Sequence, residues 1–270
     1  VARECGADYV VKLPRNQGLA KAFSAGLDAC LRHGADIIVN TDADNQYCAE
    51  DIPKLIEPIL HDQMEIVVGA RPISEISHFS FSKKLLQRMG SWIVRLASKT
   101  TIPDAPSGFR AFSREAAMRI NVFSSYTYTL ETIIQVGNKN MAITSVPIRT
   151  NPPLRPSRLM MGIPRYLRNS ILIIVRIFMT YQPARFFGIP GVLLFAGGIA
   201  ASCPFLYFRL VHGTARHLQW LTLGATLIVL ATFLVITGLV TDLIAVNRQL
   251  LEEERFRLRR IEYEHLSRRD

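Results

Sequence analysis

Residues 36–46 read D-I-I-V-N-T-D-A-D-N-Q, an apolar run that stops at two aspartates set one residue apart. Ile37, Ile38 and Val39 are β-branched, and a short apolar run closed by polar residues predicts a buried strand. Upstream, residues 19–32 predict a helix with Leu19, Ala22, Phe23, Gly26, Leu27 and Cys30 on one face. Gly34 follows as its stop signal. Further strands are expected at 8–13 (DYVVKL), 65–69 (EIVVG) and 141–148, and helices at 51–60, 83–98, 114–120 and 129–136. This alternation predicts an α/β fold: a mostly parallel sheet sandwiched by helices.

Ligands of open α/β sheets lie at the carboxyl ends of the strands. Asp42 and Asp44 leave the strand at that point, and residues two apart on an extended chain face the same way. Two hard oxygen donors with open coordination suit Mg²⁺ or Mn²⁺ carrying a diphosphate. Aspartate pairs in surface turns are common. The apolar strand in front of this pair is what favours the metal.

The chain has 270 residues, 49% hydrophobic and 20% charged, with a mean hydropathy of +0.18. That is too apolar for a disordered chain or a typical soluble enzyme. The net charge of +10 is concentrated: between Glu131 and Asp242 there is no acidic residue and there are ten basic ones. Residues 186–208 and 218–241 carry no formal charge, and each is long enough to cross a hydrocarbon core of roughly 30 Å. Nine residues separate them, so the pair predicts a transmembrane hairpin. The arginines before it and the charged residues after it put both termini and the front domain on the cytoplasmic side by the positive-inside rule. Residues 164–179 predict an amphipathic helix lying in the headgroup plane. The expected organisation is a front domain over 1–150, a basic linker and interfacial helix over 151–185, the hairpin over 186–247 and a solvated helical tail over 248–270. The hairpin also offers a surface on which two copies could pair into a homo-oligomer.

Cys5, Cys30, Cys48 and Cys203 form no C-x-x-C pair and read as reduced thiols rather than a disulfide scaffold. The six histidines are dispersed, and there is no G-x-S-x-G, Walker or G-x-G-x-x-G pattern. A nucleic-acid partner is not expected, because the basic charge flanks the apolar spans rather than an aromatic-studded soluble face.

The stretch from Gly6 through Asn16, Gly18, Gly34-Ala35-Asp36, Asp42, Asp44, Gln46 and Glu50-Asp51-Ile52-Pro53 resembles the polyprenyl-phosphate glycosyltransferases. These are the dolichyl-phosphate mannosyltransferase-like and bactoprenol glucosyltransferase-like members of family 2 of the GT-A nucleotide-sugar enzymes. Residues 104–110, D-A-P-S-G-F-R, look like the family's D-x-x-S-G-F-R loop, and Arg155-Pro156-Ser157-Arg158 like its basic segment before the membrane part. Members begin with a strand and a P-x-x-N-E turn, then a strand ending in D-D-x-S, which hold the base and ribose. This sequence starts after both, so the resemblance implies a front truncated relative to the family.

The resemblance implies transfer of a hexose from a UDP- or GDP-sugar to undecaprenyl or dolichyl phosphate by an inverting, metal-assisted displacement. Donor binding would fall to Lys21, Asp42, Asp44 and Gln46, with the metal on Asp42 and Asp44 and Gln46 beside it. Asp44, Asp104 and Arg110 would be catalytic. The acceptor phosphate would meet Arg88, Arg95, Arg110, Arg155 and Arg158, whose planar guanidinium forks match it. Asp104 would orient an arginine or meet the sugar. Plainer readings stand beside these: Lys21 as a solvated lysine, Arg88 and Arg95 as residues snorkelling at the bilayer, and Asp104 as the cap of the turn at Pro106. Glu131 resembles a further acidic position of the family. A processive polysaccharide synthase would carry Q-x-x-R-W, absent here. A membrane-anchored non-catalytic subunit, or an inactive truncated homologue, remains the alternative.

Overall fold

The computed structural model describes residues 2–72, 95, 98, 100–122, 128–151, 175, 179, 181–213 and 218–267. The chain divides into two compact units, Val1–Ser170 with Glu252–Asp270, and Ile171–Leu251.

In the first unit α1 spans Leu19–Arg32, β1 Ile37–Asn40, α2 Ile52–His61, β2 Ile66–Ala70, β3 Arg110–Ser113, α3 Arg114–Arg119, α4 Thr129–Asn138 and β4 Ile143–Pro147. The strands lie in the order β1-β3-β2-β4. β1 and β2 are each antiparallel to β3, and β2 is parallel to β4. Three of the four strands therefore run the same way, with β3 reversed between two of them. The carboxyl ends of β1, β2 and β4 and the amino end of β3 consequently meet at one edge. That geometry positions the candidate site.

β2 is buried along its length and packs with Phe109, Ala111, Ile148, Leu55 and Tyr47 into one core. Such a doubly covered strand reads as a continuous apolar run, as IVVGA does. α1 begins and ends where the sequence places it. Gly34 sits at φ 76°, a left-handed conformation natural to glycine, while the Ala35 amide donates to Cys30 O. The buried face is rotated from the expected one, however. Ala20, Phe23, Leu27 and Leu31 point inward, while Leu19 is 52% exposed.

Residues 8–13 form no strand, contrary to expectation. A strand is stabilised by its ladder, and no described strand pairs with this segment. Tyr9, Val10 and Val11 are exposed, and the Tyr9 ring stacks on His33 at 3.6 Å. Of the expected helix at 83–98, only Arg95 and Ser98 fall within the described residues, both helical. The interfacial helix at 164–179 lies outside them except for Val175 and Met179.

In the second unit α5 spans Pro183–His212, and α6, which spans Leu218–Ser267, begins there. Both helices are long and apolar enough to cross a membrane. They pack along small residues. A methyl group on Gly224 would fall 2.6 Å from Gly198 O, and one on Gly191 would lie 2.9 Å from Val235. Apolar solvent gives no net force between helices in lipid, so close backbone approach at glycine supplies the contact. Large side chains such as Leu193, Phe233 and Leu239 face outward.

The tail corrects a second expectation. Its charges were read as a wet face, yet the last turns of α6 pack within the first unit. Phe256 and Tyr263 are buried one helical period apart from Glu252 and Arg259. Tyr263 Oη donates to Asp28 at 2.5 Å, and Arg259 donates to Met118 O and Ile120 O at the end of α3. Arg32 pairs with Glu262, Lys139 with Glu252, and the Arg119 guanidinium lies over the Phe256 ring. Counting charges hid two buried aromatic residues, Phe256 and Tyr263, seven residues apart on one helix face.

Candidate active site

β1 ends at Asn40, and the chain turns through Thr41 into Asp42 and Asp44. Asp44 Oδ1 accepts the Gln46 amide at 3.1 Å, closing a tight turn in which Asn45 takes φ 58°. Asparagine tolerates that conformation better than most residues. The turn is fastened to the chain leaving β4: the Asn151 amide donates to Gln46 O, Asn151 Nδ2 to Asn45 O, and Tyr47 bridges Thr150.

A second fastening lies one turn on. Asp51 is inaccessible, and Arg149 donates to it from its amide at 2.7 Å, from Nε at 3.1 Å and from NH2 at 2.9 Å. Those side-chain bonds first, and Lys54 after them, hold the Asp51 carboxyl well below the usual carboxylate range despite its burial. A carboxyl held below its unfolded value of about 3.9 stabilises the fold fully above that pH. Its contribution is lost as pH falls through the folded value. Asp51→Asn should therefore lower stability at neutral pH and flatten its decline below about pH 4. Thermal unfolding across pH reads this, and an unaltered acid limb would remove Asp51 as its source.

The loop 104–109 enters β3 at the same edge. Arg110 is fully buried. Its Nε donates to Ser107 O at 2.8 Å, NH2 to Ala105 O at 2.7 Å and NH1 to Thr132 Oγ1 at 2.5 Å. Burial brings its pKa down to about 10, which leaves it charged at neutral pH. The resemblance implied a phosphate contact for Arg110. The structure instead turns its guanidinium inward, where it holds the loop's carbonyls.

Asp104 is also buried, and it pairs with an arginine. That arginine is Arg71, directly after β2. Nε and NH2 of Arg71 reach the two carboxylate oxygens at 2.7 and 2.9 Å, and its amide donates to Oδ2 at 3.2 Å. Burial opposes the charge on Arg71, but the Asp104 carboxylate more than offsets it and raises the arginine's pKa.

The loop ends in Gly108, whose peptide is gripped from three sides. Its carbonyl accepts from Asn40 Nδ2 at 2.7 Å and lies 3.5 Å from Tyr128 Oη, while its amide donates to Tyr47 Oη at 3.0 Å. A Cβ at this position would fall 2.5 Å from Asp42 Oδ2. Only glycine lets the loop lie against that carboxylate. Gly108→Ala should keep the fold, because a carboxylate can swing away, but it should lower divalent-metal affinity by roughly 10-fold. Titration of Mn²⁺ into the purified chain checks this, and unchanged affinity would show that Asp42 had room to spare.

Asp42 is half-buried and Asp44 exposed. Burial raises the Asp42 pKa, the Asp44 charge raises it further, and the charges of Arg71 and Arg110 offset part of the rise. Burial also pushes Tyr128 up to about 12, with the Asp42 charge adding to the shift. Two neighbouring carboxylates, one of them partly desolvated, are an arrangement that a divalent cation relieves. Among the described residues no group of three or more His, Cys, Asp or Glu gathers at one point. A two-carboxylate site leaves the other positions to phosphate oxygens and water, as Mg²⁺ and similar ions prefer.

The structure thus gathers Asp42, Asp44, Gln46, Asp104 and Arg110 at one sheet edge. Lys21 stands exposed on the first turn of α1, Arg95 is half-buried, and Glu131 is half-buried on the first turn of α4. Arg88, Arg155 and Arg158 lie outside the described residues. Arg71, Asn40, Tyr47 and Tyr128 were missed. For Arg71 the signal was available: it follows an apolar strand just as the aspartates do.

Residues 9–120 match the family model described as glycosyl transferase family 2. The UDP-N-acetylglucosamine–dolichyl-phosphate N-acetylglucosaminyltransferase of Methanococcus voltae is 34% identical over 52% of this chain and 58% of its own length. The undecaprenyl-phosphate mannosyltransferase of Micrococcus luteus is 25% identical over 54% of this chain and 62% of its own. The chain therefore spans less than two thirds of the length of these curated relatives. Among solved structures, glucosyl-3-phosphoglycerate synthase of Mycobacterium tuberculosis is 18% identical, with a TM-score of 0.46 over 64% of this chain and 62% of that one. Residues 9–120, less than half of the chain, thus resemble glycosyl transferase family 2.

Proposed function

We propose that the protein is a membrane glycosyltransferase that moves a hexose from a UDP- or GDP-sugar to a polyprenyl phosphate. The observation that carries this reading is the meeting of the D-A-D turn and the D-x-x-S-G-F-R loop at one sheet edge, with Gly108 against Asp42. The named activities of the curated relatives and the two apolar helices point to a lipid acceptor. The positive-inside rule puts the catalytic domain and both flanks of the hairpin on the cytoplasmic side.

A phosphate monoester has a second pKa of about 6, so the acceptor is mostly dianionic at neutral pH and needs no general base. Its oxygen attacks the anomeric carbon as the bond from that carbon to the nucleoside diphosphate breaks on the opposite face, inverting the centre. A divalent ion held by Asp42 and Asp44, with Gln46 beside them, would neutralise charge on the departing diphosphate. The chain supplies the positioning. Arg110 and the Asp104–Arg71 pair fix the loop, Lys21 is the candidate contact to the donor diphosphate, and Arg88, Arg95, Arg155 and Arg158 are the candidates for the acceptor phosphate.

Membranes carrying the protein, incubated with labelled UDP- and GDP-hexoses, Mg²⁺ and either polyprenyl phosphate or a water-soluble acceptor, test this reading. Label should pass into the organic phase only with the lipid phosphate. Transfer to the soluble acceptor alone would overturn the lipid assignment.

A further inference from the structure

Tyr128 has no part in the motifs that mark the family resemblance, yet its hydroxyl ends where two of them meet. It directly precedes α4, and its carbonyl accepts the Thr132 amide at 2.9 Å, so the first turn of the helix places its backbone. Its ring lies flat on Phe23 of α1, with centroids 3.9 Å apart and planes 7° from parallel. Phe23 in turn packs against Phe112 of β3. A buried aromatic contact of this kind fixes both the position and the plane of a ring. Tyr128 is 1% exposed, so its hydroxyl reaches the site through neighbouring groups rather than through solvent.

Those groups are Asn40 and Gly108. Asn40 Nδ2 donates to Tyr128 Oη and to Gly108 O, each at 2.7 Å. An amide nitrogen carries two hydrogens, and both are used here. Tyr128 Oη accepts one of them and keeps its own hydrogen to donate, with Gly108 O 3.5 Å away. The three groups close a triangle around one carbonyl, and the tyrosine corner stops the Asn40 amide from turning about its last torsion. On its other side the same glycine lies against Asp42: a Cβ there would fall 2.5 Å from Oδ2. The tilt of the Gly108 peptide therefore decides the space left to that carboxylate. Burial and, after it, the Asp42 charge raise the Tyr128 pKa, which keeps the hydroxyl protonated and able to donate at neutral pH.

We propose that Tyr128 is a positioning residue: its hydroxyl, through the Asn40 amide, sets the tilt of the Gly108 peptide and so the geometry in which Asp42 takes a divalent cation. The part of the side chain that matters for this is one oxygen atom, and the ring serves to bring it there. The proposal rests on the reading of Asp42 and Asp44 as the cation site, but it does not require that the acceptor be a lipid.

The test uses the full chain in detergent, with Tyr128→Phe, Phe23→Leu, Gly108→Ala and Asp44→Asn made singly, and the first and third also together. Mn²⁺ affinity is measured by electron paramagnetic resonance without sugar nucleotide, and thermal unfolding alongside. Tyr128→Phe keeps the ring and its stack and removes only the oxygen, so the fold should persist. Mn²⁺ affinity should fall roughly 10-fold, the lower end of the losses seen when groups that orient metal ligands are altered. Phe23→Leu removes the stack and leaves the hydroxyl, so it should lower the melting temperature with less effect on Mn²⁺. Tyr128→Phe should add no further loss to Gly108→Ala, because both act on the same peptide. Parental Mn²⁺ affinity in Tyr128→Phe would overturn the proposal whatever the melting temperature, as would losses that multiply in the double variant. A loss of Mn²⁺ affinity in Phe23→Leu as large as that in Tyr128→Phe would also overturn it, assigning the effect to packing. Failure of the cation site itself looks different: Asp44→Asn would then bind Mn²⁺ as tightly as the parent, and the proposal would fall with the site.

Discussion

Asp44→Asn should abolish sugar transfer, with a loss of at least about 100-fold, and leave the fold intact. The second half of that expectation follows from the geometry. Asp44 is exposed, and its turn is closed by a bond from the Gln46 amide that an asparagine oxygen accepts equally well. What the substitution removes is negative charge beside Asp42. A neutral amide is a weak ligand for a hard divalent ion, so the loss should appear in metal affinity first and in turnover at saturating donor second. Label reaching the organic phase at the parental rate would refute the carboxylate pair as the cation site.

Arg110→Met should cost roughly 3–5 kcal/mol of stability. Methionine fills much of the same volume, so packing is not the main loss. The loss is of donors: Ser107 O, Ala105 O and Thr132 Oγ1 all take their bonds from this one guanidinium, in a place water does not reach. Each buried acceptor left without a donor costs about 1–3 kcal/mol. A phosphate-binding arginine would behave in the opposite way, with melting unchanged and acceptor KM raised. Thermal unfolding together with acceptor kinetics therefore decides between the two roles.

The parts of this protein that are legible in its sequence are those where local pattern and tertiary demand agree. α1 has helical spacing and a glycine stop, and β2 is an apolar run that the core covers on both faces. The Asp42–Asp44 turn could be placed because the strand before it is unambiguous. β3 was not legible. It is four residues long, and its strand character comes from pairing with both β1 and β2, which no local pattern records. Residues 8–13 failed in the opposite sense, with strand-like residues and no described ladder to join. Arg110 looked like a cation for a ligand because its planar guanidinium fork matches a phosphate. Its burial becomes visible only once β3 places it inside the sheet. Arg71 and Tyr47 lie 33 and 61 residues from the groups they hold, and separations of that size are the work of the fold.

The central claim is that a divalent ion on the β1 turn joins the chain to the pyrophosphate of its donor. Crystals of the full chain grown with Mn²⁺ and a nucleoside diphosphate, examined for anomalous scattering, test it most directly. A manganese peak is expected within bonding distance of a carboxylate oxygen of Asp42 or Asp44 and of a diphosphate oxygen, with Gly108 still against Asp42. A diphosphate bound with no metal at either aspartate, or manganese seated elsewhere on the molecule, would contradict it.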